Sequence, residues 1–193
     1  FVSVGNSGTI LTSSDGTTWT SRTSGTSEHF NRVTYANSTF VAVGYNGTIL
    51  TSSDGITWTS RTSGTTSNWI AGVTYANSIF VIVGENGTIL TSSDGTTWTS
   101  RTSGTTSVLS DVAYGNSQFA AVGDGGTAIT SSDGTSWSTQ TTGTTTNFKG
   151  LTYGNSMWVI VGESGNIHTS DGETLTSRTS GTTVTLVRVI YKE

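Results

Sequence analysis

Five aspartates recur in one setting. Asp15, Asp54, Asp94, Asp133 and Asp171 each precede a glycine. The first four lie in a Ser-x-Asp-Gly-x-Thr/Ser-Trp run that ends on Trp19, Trp58, Trp98 or Trp137. A carboxylate so placed can serve catalysis or a metal. It can also accept hydrogen bonds from the N–H groups of its own tight turn. Five near-identical copies argue against a single active site, and the structural reading is the expectation here. The Trp is then expected to pack its ring into the gap between neighbouring sheets.

Other chemistries lack their partners. His29 and His168 are far apart, and neither has a second ligand at zinc spacing. The serines have no matching His and Asp set. Gly123-Asp124-Gly125-Gly126 has no lysine of a phosphate loop and reads as a turn. No enzyme activity, cofactor or metal is expected. The sequons at Asn37, Asn46 and Asn86 fall where turns want Asn for its backbone.

The elements that carry these residues follow from an internal repeat. Phe1-Val-Ser-Val-Gly5 returns from Phe40, Phe80, Phe119 and Trp158, at spacings of 39, 40, 39 and 39 residues by subtraction. A unit of this length holds four short strands, the content of one propeller blade. "FVAVG" alternates as a half-buried strand should, and "GTILTS" follows a two-residue turn. The Asp-Gly turn leads to "WTSRTSGT". The last strand is "FNRVTYAN", "IAGVTYAN", "LSDVAYGN" or "FKGLTYGN", and "LVRVIYKE" ends the chain. Named B, C, D and A, they make residues 1–193 one all-β, five-bladed propeller of four antiparallel strands per blade. Residues 186–191 are expected to pair with residues 1–5, so that both ends complete the first blade and remove exposed sheet edges.

The turn motif resembles the Asp box, or BNR repeat. The fifth copy has lost its Trp, with Leu175 in that place, and one upstream residue. The wider pattern is similar to repeats of the photosystem II assembly and stability factor family and its bacterial relatives, whose members generally have more blades. That resemblance covers essentially the whole chain and implies a propeller and an assembly role. Asp boxes also occur in sialidases, whose site needs converging arginines. Arg22, Arg61, Arg101 and Arg178 sit one per blade on the outermost strand, with Gln140 in the fourth place, so they are not expected to converge.

Composition bounds the partners. Apolar residues make up 32% and charged residues 10%, the net charge is −4, and Lys and Arg total 8, so no basic patch suggests nucleic acid. No apolar run approaches the roughly 20 residues of a membrane span. There is no cysteine and hence no disulfide. The Thr/Ser-rich, Cys-free repeat suits the outside of a cell, although nothing in the sequence fixes the compartment. Either a monomer or a subunit of a larger assembly fits.

Divergence among the copies points to one face. In an A-B-C-D meander the B–C and D–A connections emerge together, opposite the Asp-Gly turns. The B–C turns vary at Asn6, Tyr45, Glu85, Asp124 and Glu163, and the D–A segments vary from Glu28 to Arg32 and at Trp69, Asp111 and Lys149. A protein or glycan is expected to bind there, around the channel mouth, through Tyr45, Trp69, Phe148, Arg32, Asp111 and Lys149. Relaxed packing at a loop-rich face would produce the same pattern. The remaining readings are a structural or display subunit of an extracellular or phage-like assembly, an assembly factor, and a recently amplified or engineered repeat.

Overall fold

The computed structural model describes residues 1–65, 67–172 and 174–192. Its described residues are all-β apart from three-residue turns of 3-10 helix at Glu85–Gly87, Asp124–Gly126 and Glu163–Gly165. No helix among them is long and apolar enough to cross a membrane. Five antiparallel sheets follow one another, one per repeat, as expected for five blades. The first holds β1 (Val2–Val4), β2 (Ile10–Thr12) and β3 (Thr20–Arg22). The second runs β4 (Phe30–Ala36), β5 (Thr39–Gly44), β6 (Ile49–Ser52) and β7 (Thr59–Arg61). The third has β8 (Ile70–Ala76), β9 (Ile79–Gly84), β10 (Ile89–Ser92) and β11 (Thr99–Arg101). The fourth has β12 (Leu109–Gly115), β13 (Gln118–Gly123), β14 (Ala128–Ser131) and β15 (Ser138–Gln140). The fifth has β16 (Phe148–Gly154), β17 (Met157–Gly162), β18 (Ile167–Ser170) and β19 (Leu175–Arg178).

Local chemistry explains the meander. Asn37-Ser38, Asn77-Ser78, Asn116-Ser117 and Asn155-Ser156 all have positive φ and join strand A to strand B. Two such residues in a row give the primed turn whose twist matches a hairpin. Strand B is the buried centre of each full sheet: Val41, Val81, Phe80, Phe119 and Trp158 pack between blades. Strand D is mostly exposed, because it is the outer edge. The A strands β4, β8, β12 and β16 neighbour one another in chain order. Each carries a bulge at the same place, between Phe30 and Arg32, Ile70 and Gly72, Leu109 and Asp111, and Phe148 and Gly150. A bulge re-aims the side chain beside it, and the third residue of every A strand is affected.

The expected composite first blade is not formed. Among the described residues the first sheet has three strands, and β1 pairs only with β2. Residues 186–191 form no strand and continue the succession of A segments beside the fifth sheet. The Leu186 N–H donates to the Gly162 carbonyl at 3.0 Å, as Phe30 donates to Gly5. The backbone of Val187 and Arg188 lies beside Gly150. The terminal copy thus sits beside the fifth sheet as each A strand sits beside the sheet before it. Glu193, the last residue of that copy, lies outside the described residues.

Candidate functional site

The Asp-Gly turns occupy one face. In the second repeat the Asp54 carboxylate accepts from Ile56 N–H at 2.8 Å, Thr57 N–H at 2.9 Å and the Ser52 hydroxyl at 2.9 Å. Asp15, Asp94 and Asp133 repeat this set, and Thr174 N–H donates to Asp171. Backbone donation from Thr57 and Ile56 holds the Asp54 carboxyl below the usual carboxylate range, and Thr18 and Thr17 do the same for Asp15. A carboxylate so engaged is a turn element, since its charge is already stabilised by local donors. The indole N–H groups of Trp19, Trp58, Trp98 and Trp137 each donate to the carbonyl of their own turn's glycine. The rings only half-enter the gap between blades, and Trp19 is 42% exposed.

The arginines of the outer strands do not converge. Arg22, Arg61, Arg101 and Arg178 each donate through Nε to a threonine of the adjacent strand C in their own repeat, at 2.8–2.9 Å. Gln140 makes the equivalent bond to Thr130. Among the described residues no cluster of three His, Asp or Glu side chains is placed to hold a metal.

The opposite face brings the variable segments together. Main-chain bonds tie each B–C turn to the preceding D–A segment: Tyr45 N–H to His29, Glu85 to Trp69, Asp124 to Val108 and Glu163 to Asn147. The side chains on this frame differ from blade to blade. Tyr45 is 40% exposed, meets the His29 ring edge-on at 5.5 Å, and forms an isolated β-bridge with half-buried Trp69. Asn46 donates to Glu28 at 2.9 Å. Two blades further on, Lys149 bridges Asp124 at 3.0 Å and Glu163 at 3.1 Å. Burial pushes the Lys149 ammonium down, but its bonds to these two carboxylates win, and its pKa lies above the ordinary lysine value. Asn147 completes the group, accepting from Gly125 N–H and donating to Glu163.

A second group lies deeper, on the A strands. Their third residues, in order, are Arg32, Gly72, Asp111 and Gly150, and Arg188 holds that place in the terminal segment. The glycines make room. A Cβ on Gly72 would stand 3.3 Å from Asp111, and one on Gly150 3.1 Å from the Arg188 Cα. Arg32 and Arg188 therefore act on the Asp111 carboxylate across their glycine neighbours. Asp111 is 7% exposed and accepts from its neighbour Val112 N–H at 3.0 Å and from Leu151 N–H of the next blade at 3.3 Å. Burial pushes its carboxyl up, and the Arg32 charge opposes this. The Arg32 Nε is buried without a hydrogen-bond partner.

Two of the expected contact residues are withdrawn from the surface. Phe148 is fully buried, edge-on to the His168 ring at 5.4 Å, because the first residue of strand A enters the layer between blades. Asp111 is buried as an internal tie between the fourth and fifth blades. Tyr45, Trp69, Arg32 and Lys149 are accessible in part. Arg188, Asn147 and Glu163 were not singled out as contacts. Aligning the A-strand copies by their bulged third residue reveals Arg188, whereas the Lys149 clamp depends on adjacency between blades.

No family model and no characterised protein matches this sequence. Solved structures do match in fold. YCF48 bound to D1 peptide superposes with a TM-score of 0.71 at 20% identity, over 93% of this chain and 63% of that one. The computationally designed Ika8 protein gives 0.75 at 16% identity, over 100% of this chain and 62% of that one. YCF48 from Cyanidioschyzon merolae gives 0.70 at 15% identity, over 95% and 70%. The chain thus spans under two thirds of the first two, and its fold is a β-propeller of the type its repeats resemble.

Proposed function

We propose that this chain is a non-catalytic interaction module that takes a protein segment on the face of its B–C turns and D–A segments. The observation that carries the reading is the contrast between the two faces. The Asp-Gly turns repeat one hydrogen-bond scheme and present nothing unique. The other face has a common main-chain frame but unlike side chains: the Tyr45–His29 ring pair with Trp69 bridged to it through the main chain, the Lys149 clamp and half-buried Arg32. Aromatic and arginine anchors beside polar groups are what binding hot spots use. That YCF48 has been solved with a D1 peptide shows that a propeller of that kind accommodates a peptide, which supports a protein partner over a glycan.

A displayed peptide library panned on the full chain tests the reading. Selected peptides should bind with a stoichiometry near one in calorimetry, since the site occurs once. Tyr45→Ala and Lys149→Glu should each weaken binding about tenfold or more, the scale of a hot-spot contact. Arg61→Ala, on the outer edge, should leave it unchanged. A stoichiometry near five, or equal loss in Arg61→Ala, rejects the face.

A further inference from the structure

We propose that the gap between the fourth and fifth blades is a binding site for an uncharged sugar of monosaccharide size. A cavity of about 320 Å³ lies there, between β13, β14 and the end of β15 on one side and β16 to β19 on the other. That is within the range of small-molecule sites.

The repeat itself shows how the cavity arises. Between the third and fourth blades the same layer is filled by Val81, Ile89 and Ile79, with Trp137 packed against it. At the corresponding positions of the next gap stand Ala120, Ala128, Gln118 and Leu175. Three apolar side chains have shrunk and a fourth has become an amide, all around one space. An unfilled space in a core layer costs stability in proportion to its volume, so a ligand that fills it adds back contacts the repeat has lost.

The lining selects the ligand. None of the described residues around the cavity is charged, because Gln140 replaces the arginine that lines the clefts near Arg61, Arg101 and Arg178. The floor is apolar, from Ala120, Ala128, Leu151 and Leu175. The rim is polar and neutral. Gln140 donates its amide N–H to Thr130 and Ser138, which leaves its carbonyl oxygen to accept from a hydroxyl. Thr142 donates to the Gly126 carbonyl at 2.7 Å and keeps its lone pairs for a donor. Gln118 supplies a second amide. An apolar floor under amides and hydroxyls matches a pyranose, which has C–H faces and a girdle of hydroxyls. Among the described residues a charged ligand would find no counter-ion there, and a purely apolar one would leave the Gln140 carbonyl oxygen and the Thr142 hydroxyl unused.

The test is calorimetry and saturation-transfer NMR on the full chain. The probes are methyl glycosides of glucose, galactose, mannose and N-acetylglucosamine, with glucuronic acid and toluene as anionic and apolar controls. At least one neutral glycoside should bind with a stoichiometry near one. Ala128→Ile, which restores the residue of the other repeats, should melt no lower than the parent and weaken that binding about tenfold or more, since it fills the space. If Ala128→Ile melts lower, Gln140→Arg carries the same expectation. Arg61→Gln, in another gap, should change nothing. Binding of toluene alone, no glycoside binding up to about 10 mM, which leaves only a few kcal/mol of affinity, or undiminished binding in the variant that folds overturns the proposal.

Discussion

His168 shows what one substitution does inside a repeat. Strand C carries leucine at this place in Leu11, Leu50 and Leu90, and the fifth copy carries His168. Its Nε2 is buried without a partner, and burial pushes the imidazole pKa below the ordinary histidine value. The neutral form is therefore the folded form. Stability from this site is whole above the unfolded pKa of about 6.5 and is lost as pH falls from there through the depressed folded value. His168→Leu should raise stability by about 1–3 kcal/mol, the cost of an unmade buried hydrogen bond. It should also flatten the dependence of melting temperature on pH below about 6.5. A variant whose melting tracks pH as steeply as the parent excludes this account. Asp54 works in the opposite chemical setting, exposed but charged. Its pKa is depressed by Thr57 and Ile56, so its contribution is present above the unfolded pKa of about 3.8 and fades as pH falls through the folded value. Asp54→Ala should melt lower at neutral pH, with a deficit that narrows in strong acid, and should leave peptide binding on the opposite face intact.

At the scale of the element, the C–D hairpin is stabilised from its own turn and from the blade beside it. The Trp58 ring packs in the layer with Ile10, Val2 and Val4 of the first blade, sits 6.2 Å from Phe40 of its own blade, and has its N–H held by the Gly55 carbonyl at 2.9 Å. The third blade repeats this with Phe80 and Trp98, the fourth with Phe119 and Trp137. Because the indole is only half-buried, Trp58→Ala should cost about 2–3 kcal/mol, below the roughly 3–5 of a fully buried ring. Trp19→Ala should cost less again, since Trp19 is more exposed. Denaturant unfolding of the two variants gives the order directly. An equal loss would mean that the turn bond, and not packing, sets the value of the ring.

Over the whole molecule, blade-to-blade contact is the repeated interface, and residues 1–193 by themselves leave its first and last copies uncovered among the described residues. Phe1 is 74% exposed, whereas its equivalents Phe80 and Phe119 are fully buried. Ile190 and Val187 are exposed in the terminal A segment. In a chain of these 193 residues alone, the edge of β1 and these apolar side chains favour association between copies. Phe1→Ser combined with Ile190→Ser should therefore reduce concentration-dependent association in light scattering or sedimentation and change melting little. If association is unaltered, the uncovered ends do not drive it.

How much of this was legible in the sequence depends on the range of the interaction. The five units, their strand order, the turns at Asn37-Ser38 and Asn46-Gly47, and the pairing of B–C with D–A on one face all follow from spacing and turn chemistry, because hairpins are local and a meander alternates its ends. The role of Asp54 was legible too, since its donors lie within three residues of it. What tertiary structure decided is what happens between blades. Phe148 reads as a variable aromatic near a loop, and only the bulge and the neighbouring sheet show it buried against His168. Asp111 and Lys149 read as two surface charges; one is an internal tie to Leu151 and the other a bridge between turns of two blades. The joining of the two ends was expected because the copies match in strand type. Strand type says which segments are able to pair, but the angle and spacing of successive blades decide whether the ends meet. Those depend on side-chain volumes in every interblade layer, including the fourth-to-fifth layer that Ala120, Ala128 and Leu175 leave underfilled.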